Sequence, residues 1–379
     1  MNKLHCIGSY IDSSYAKNQK GAAILLTVVL LLIIVTLVTL YTGKIQSFEH
    51  QILLNTQNQK WAQASAKAGL NQALAMLNVN KVWPDIEVSG KLDDNSTFTI
   101  SASSEDLPDS RTLITLKANG KSADGLANAT VMEQSLVYPI LVNPPPAPLM
   151  VKHGLSSDGE LEIAANPDGL GLGAPLSAWS ETVITLSGTR HHSCMLSVFN
   201  AGNCSTDSYS DHSIKRTDIA GDSASFPADL VSYLFNIPAT DLMQLQQQSD
   251  FVFADCDSLD IGSWGVIWIN GDCDVSASTQ IGDDSEPVIL VIFDGNLEFQ
   301  SDVTMYGLLF LFKPPESTKA LDINMQTDSA VLGAVVTNFK LGTKSGLTRV
   351  VFHADVMQNL QLSKKLQRVA RVPGSWHDF

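Results

Sequence analysis

From Ala22 to Leu40 every position is apolar except Thr27, Thr36 and Thr39, and no charge intervenes before Lys44. A tract with no polar stripe predicts a helix that is apolar on all sides. The next stretch has no proline, and Gly69 is its only glycine after Gly43. Ala64, Ala66, Ala68, Leu70, Ala73, Ala75 and Leu77 recur there at helical spacing, so the helix should continue, now amphipathic, to about Asn78. One helix of that extent is on the order of 85 Å long.

Beyond Lys81 the pattern changes to short alternating runs, "TFTISAS", "RTLITLKANGK" and "ATVMEQSLVYPIL", punctuated by Gly, Asn, Asp and Pro. These read as antiparallel strands. "NPPPAP" (Asn143–Pro148) then predicts an extended, stiff linker and a boundary. After it two templates recur. "DGELEI" (158–163), "NGDCDV" (270–275) and "DGNLEF" (294–299) share a turn dipeptide followed by apolar–acidic–apolar alternation. "WGVIWI" (264–269), "YGLLFL" (306–311) and "LGAVVT" (332–337) form the second. Recurrence at 24 to 26 residues predicts stacked coils of a β-solenoid, with an irregular β-sandwich as the other possibility. Between Ala224 and Gln248 helical signals interrupt it, with Ser225 and Thr240 as N-cap candidates and Phe226, Leu230, Leu234, Leu242 and Leu245 as apolar faces. The expected class is α+β. Its parts are 1–21, the helix 22–80, a β region 81–142, the linker 143–148, and a β-solenoid-like or irregular all-β domain 149–379.

The apolar tract is long enough for a bilayer core. It exceeds the apolar region of a secretory signal and ends in "TLYTGK", which offers no small-x-small cleavage site. Lys3, Lys17 and Lys20 precede it, so the N-terminus is expected in the cytoplasm and the bulk outside the inner membrane.

Lys20-Gly21 before this helix resembles a type IV prepilin leader. "QKGAAILLTVVLLLIIVTL" with the later "AQASAKAGLNQAL" is similar to the N-terminal region of PilX-type minor pilins. "PLSAWSETVITLSGT", "SLDIGSWGVIWINGDC", "PVILVIFDGNLEF" and the terminal "RVPGSWHDF" look like the C-terminal region of large members of that family. The resemblance implies cleavage by a prepilin peptidase after Gly21, next to Lys20, leaving Ala22 as an N-methylated terminus. It implies assembly through a helix surface that includes Ala22, Ala23, Leu26, Thr27, Ala66, Ala68, Gly69 and Leu70. Partners would be major and other minor pilins, the peptidase and the inner-membrane assembly platform. Two departures stand out. Lys67 occupies a position where acid is usual, and Leu26 stands at the fifth mature position, where most major pilins carry a glutamate. A low-copy or terminal place in a filament suits that absence.

Charge and cysteine usage refine this picture. Net charge is −15, which disfavours nucleic acid as a partner. Cys6 falls in the leader, and Cys194, Cys204, Cys256 and Cys273 remain, an even count that reads as two disulfides in an oxidising compartment. Local pairing, Cys194 with Cys204 and Cys256 with Cys273, is preferred among three connectivities. "RHHSC" puts His191 and His192 beside Cys194 and raises zinc as a competitor, but the adjacent histidines lack ligand spacing and no metal is expected. Asp255, Asp257, Asp260 and Asp272 could hold a structural calcium without matching the EF-hand spacing; no other cofactor is expected. The acidic pairs Asp93-Asp94, Asp283-Asp284 and Asp272 with Asp274 sit at turns and on solvent faces, and no hydrolase, zincin or P-loop motif occurs, so no enzyme is expected. The tail "RVPGSWHDF" is expected to pack on the solenoid, with binding of a partner as the alternative.

The expected function is that of a minor pilin or pseudopilin-like subunit, carried at or near a filament tip, aiding assembly or adhesion and extracellular once incorporated. The alternative is an unprocessed bitopic periplasmic module that binds glycan. A third reading is a carbohydrate-active enzyme using carboxylates on one solenoid face.

Overall fold

The computed structural model describes residues 19–84, 86–157, 159–186, 191–200, 203–204, 209–343 and 346–378. Helix α1 (Gln19–Asn80) is continuous through the apolar tract and its amphipathic extension. At 1.5 Å per residue it is about 93 Å long. No proline or side-chain insertion breaks the ladder. The hydroxyls of Thr27 and Thr36 donate to the carbonyls of Ile24 and Ile33, both at 2.8 Å, and Thr39 donates to Thr36 at 2.9 Å. Each threonine in the tract is thereby satisfied without leaving the helix.

The second half of α1 lies on an antiparallel sheet of β1 (Val88–Lys91), β2 (Thr97–Leu107), β3 (Arg111–Lys121) and β4 (Asn128–Pro139). The strands alternate as the sequence predicts, because one face packs and the other meets water. Ala66, Leu70, Ala73, Leu74 and Leu77 of α1 close over Phe98, Ile100, Ile114, Leu116 and Val131.

The remainder folds mainly as parallel strands. Among the described residues one sheet has thirteen strands and another five. The second sequence template pairs in register. Gly265–Asn270 lies beside Val288–Phe293, which lies beside Thr304–Phe312, then Ala330–Thr337. The first template does the same in the smaller sheet, where Cys273↔Leu297 and Leu297↔Ile323 are partners. Ile267, Leu290, Leu309 and Val335 point between the sheets, onto Phe299, Ile323 and Leu341. Trp268, Val291, Phe310 and Val336 point the other way and are covered by α2 (Leu230–Phe235) and α4 (Ala354–Leu362); a further short helix, α3 (Met243–Gln247), adds Leu245 to this layer. Burial on both faces explains unbroken apolar runs such as "VILVIF".

Several details depart from the sequence reading. "DGELEI" does not stack on its sister templates. Its strand Glu160–Ala165 joins the larger sheet, beside Leu347–Val351 and His191–Met195. The chain enters the parallel stack next to its final coil, since Leu149 pairs with Val335 and Leu155 with Leu341. Asp229, not Ser225, caps α2, accepting from the Ser232 amide at 3.0 Å, because Pro227 delays the first helical residue. Thr240 falls inside a 3-10 turn, and α3 has no side-chain cap. The Pro-rich segment is packed rather than free: Pro145, Ala147 and Pro148 are buried, Ala147 in the layer beneath the helices. The C-terminal tail does not pack on the parallel sheets. Gln367–Arg371 and His377–Asp378 both pair antiparallel with β4.

Candidate functional site

The apolar half of α1 is the first candidate. The Ile, Leu and Val side chains from Ile24 to Leu40 are left 48 to 71% exposed around the full circumference of the helix. Ala23, Leu26 and Thr27 belong to this bare surface. Gly21 is exposed with open space around its Cα. Met1–Asn18, and the side chains of Lys20 and Ala22, lie outside the described residues, so the leader reading is an expectation about that segment. Among the described residues one helix is long and apolar enough to cross a membrane, and it is α1. Isolated in water this surface would be costly, at about 25 cal/mol per Å².

The second candidate is the seam between α1 and the sheet. Ala66 and Leu70 are buried, Gly69 is buried and Ala68 half-buried, so these four positions face the chain's own sheet. The resemblance implies a filament-facing surface for them. A Cβ on Gly69 would stand 2.8 Å from the Phe98 ring. One on Gly120 of β3 would stand 2.2 Å from the Ala62 carbonyl and 2.4 Å from the Ala66 amide. Ser65 donates to the Thr97 carbonyl at 2.7 Å, and Asn58 donates to Asp124 at 2.6 Å. Hydrogen bonds from Ser122 first, and then from the Leu126 amide, hold the Asp124 carboxyl below the usual carboxylate range. Lys67, the departure from the resembled pattern, sits over the Trp376 ring at 5.5 Å, tying the returning tail to α1.

The third candidate surrounds a disulfide. Cys194 is bonded to Cys204, and Cys256 to Cys273. Arg349, Glu162 and His192 occupy one row across three neighbouring parallel strands. Arg349 Nε donates to Glu162 Oε2 at 2.8 Å, and His192 Nε2 lies 3.7 Å from Glu162 Oε1. The Cys204 amide donates to that same oxygen. Alternation puts Glu162 outward from the inner core, where the sequence pattern expects a solvated acid. It is instead 3% exposed, beneath the Cys194–Cys204 hairpin. Burial pushes its carboxyl up, but His192, the Cys204 amide and Arg349 together hold it below the ordinary value.

A further buried acid was illegible in the sequence. Asp218 is fully buried and accepts from Ser177 at 2.6 Å and from Ser193 and Ser210 at 2.5 Å. Three hydroxyls from three separate segments satisfy one carboxylate, and no residue spacing announces that. Of the acids considered for calcium, Asp255 and Asp260 serve local turns and Asp272 links two neighbouring coils. Asp260 accepts from the Gly262 amide at 2.9 Å, and Asp272 accepts from the Asn296 amide at 2.8 Å. Asp255 accepts from the Asp257 amide at 3.2 Å. Among the described residues these four do not form a group of three donors within metal-ligand reach.

The fold and its bare helix therefore define an α+β protein whose single N-terminal apolar helix is compatible with one membrane span. No family model matches the chain. No curated protein matches it either. Among solved structures, the competence-associated pilin ComZ from Thermus thermophilus aligns at a TM-score of 0.30 and 9% identity, over 85% of this chain and 98% of that one.

Proposed function

We propose that the chain is a minor pilin or pseudopilin-like subunit of a type IV filament. A prepilin peptidase would cut after Gly21, Ala22 would become an N-methylated terminus, and the subunit would assemble through α1 with major and other minor pilins. The observation that carries this reading is the division of α1. From Ala62 onward one face of the helix packs on the chain's own sheet, while from Ala23 to Leu40 no described residue covers it. Such a surface can be dissolved in lipid and later packed among sister helices without crossing water.

The parallel, in-register strands of the larger unit support reading it as a β-solenoid with a helical cover. A body of that size favours a place at or near the tip, and a role in initiation or surface contact. We read it as non-enzymatic, residing in the inner membrane with its bulk in the periplasm until it enters a filament. The alternative, an unprocessed glycan-binding module, has one feature in its favour: Asp274, Gln300 and Gln326 form a polar ladder on the outer side of the smaller sheet, linked at 3.0 and 2.6 Å.

The deciding test is the native N-terminus. Mass spectrometry of protein from wild-type cells should find a chain beginning at Ala22. Cells lacking the prepilin peptidase, or carrying Gly21→Leu, should hold a longer form confined to the inner membrane. A chain beginning at Met1 in all three backgrounds sinks the proposal.

A further inference from the structure

The Cys194–Cys204 bond closes over a set of donors that a hairpin has no need to gather. His192 Nε2, a Glu162 carboxylate oxygen and Cys204 Sγ all lie within 4.8 Å of one another. Cys194 Sγ is bonded to Cys204 Sγ, so it adjoins the same point. Among the described residues no other group of three metal-capable side chains converges this way, and the second disulfide has no such companions. The row is built by register. His192 and Cys194 are two residues apart on one strand and therefore share a face, and Glu162 pairs with His192 on the next strand. Glu162 and Cys194 are buried, while His192 keeps part of its ring open to solvent, which leaves an approach.

Charge is the second argument. With the disulfide formed, Glu162 and Arg349 neutralise one another in a buried setting. Reduction places two thiols there. As thiolates they would be uncompensated buried charges, which is costly. A divalent cation held by both thiolates, with Glu162, Arg349 and a neutral His192, makes the cluster neutral again. Two sulfurs, one imidazole nitrogen and one carboxylate oxygen form a four-donor set of the kind that binds zinc tetrahedrally. Arg349 holds only Oε2, leaving Oε1 to a metal once the Cys204 amide withdraws. Cys204 can withdraw, because its strand is two residues long and, among the described residues, pairs only with Phe199–Asn200.

We propose that the reduced chain carries a zinc-class site made of Cys194, Cys204, His192 and Glu162, and that metal and disulfide are alternative occupants of the same two sulfurs. This stands independently of the filament reading. In the oxidised chain the sulfurs are taken, so the site exists only before the bond forms or after it is reduced.

The test uses the full chain in detergent, oxidised or reduced with a phosphine. Zinc affinity is measured by competition with a chromophoric chelator, and cobalt(II) serves as the spectroscopic probe. The reduced chain should take up one equivalent, and its cobalt form should show the visible bands and thiolate charge-transfer absorption of a tetrahedral sulfur-containing site. The oxidised chain should take up none. His192→Ala and Glu162→Gln should each weaken zinc by more than about a hundredfold, since losing even an outer-shell partner costs ten to a hundredfold. Cys256→Ser with Cys273→Ser should retain the site. Circular dichroism guards against loss of fold: if reduction loosens the protein, zinc must restore the oxidised spectrum. Equal uptake by oxidised and reduced chains overturns the proposal. So does uptake indifferent to His192→Ala, or a reduced chain that zinc neither binds nor restores.

Discussion

At the scale of single residues, Glu162 carries a sharp consequence. Its partner Arg349 is itself buried, so removing the carboxylate strands a guanidinium in a poorly solvated place. Breaking a buried pair from one side costs about 3–5 kcal/mol. Glu162→Gln keeps an acceptor for the Cys204 amide, which puts the expected loss at neutral pH at about 3 kcal/mol. Because the folded carboxyl sits below its ordinary value of 4.5, its contribution is complete above that value and fades as pH falls through the lower folded value. Denaturant titrations of wild type and Glu162→Gln should therefore converge as pH drops below about 4.5. A gap unchanged between pH 7 and pH 3 would mean that ionised Glu162 contributes nothing. Nothing in "DGELEI" disclosed this. The alternation shows that Glu162 faces away from the inner core, but whether that outer face meets water depends on a hairpin arriving from His191–Cys204. Asp218 was hidden for the same reason, since its three serine donors come from separate stretches of chain.

At the scale of elements, the contact of α1 with its sheet rests on two glycines that differ in what they touch. An alanine at Gly69 meets a phenylalanine ring that can tilt, and it gains about 1 kcal/mol of helix propensity over glycine. Gly69→Ala is expected within about 1 kcal/mol of wild type. An alanine at Gly120 meets only backbone, at 2.2 and 2.4 Å, which cannot move unless α1 and β3 separate. Gly120→Ala should lose about 2 kcal/mol or more, the scale of overpacked cores. Thermal unfolding in detergent checks the pair, and equal effects of the two substitutions would contradict a seam in which Gly120 meets backbone and Gly69 a ring. The helix itself was legible from periodicity, as were the antiparallel strands, because both patterns are local. Which helix face turns inward was not. The small residues from Ala66 to Leu70 fit a filament contact and an intramolecular one equally well until the sheet is seen upon them.

At the scale of the whole molecule, the chain makes a closed circuit that no linear division captures. It leaves the antiparallel sheet through the packed proline segment, builds the parallel stack, and returns so that Gln367–Arg371 lies against Pro139 to Ser135 of β4. The sequence marks the outward crossing with prolines, but the return crossing has no mark, because strand pairing across more than two hundred residues is not encoded locally. Both crossings are held. The Ile140 amide donates to the Leu366 carbonyl at 2.9 Å, the Val142 amide to the Leu234 carbonyl at 2.7 Å, and Arg368 donates to Asp250 and to the Gln248 carbonyl at 2.8 and 2.9 Å. Hydrogen bonds to charged groups contribute about 1.5–3 kcal/mol each, so Arg368 acts as the bolt between the two units. Ending the chain after Leu366 removes that bolt, the strand beside β4 and the Trp376 clamp on Lys67. Hydrogen exchange should then show lost protection confined to the β4 segment from Val131 to Tyr138. Val288–Phe293 and Thr304–Phe312, sealed on one face by the smaller sheet and on the other by the helices, should exchange as before. Protection of β4 unchanged by the deletion would show the tail to be an ornament. Exchange rising everywhere would show that the two units have no separate stability, and that the bolt is part of one cooperative core.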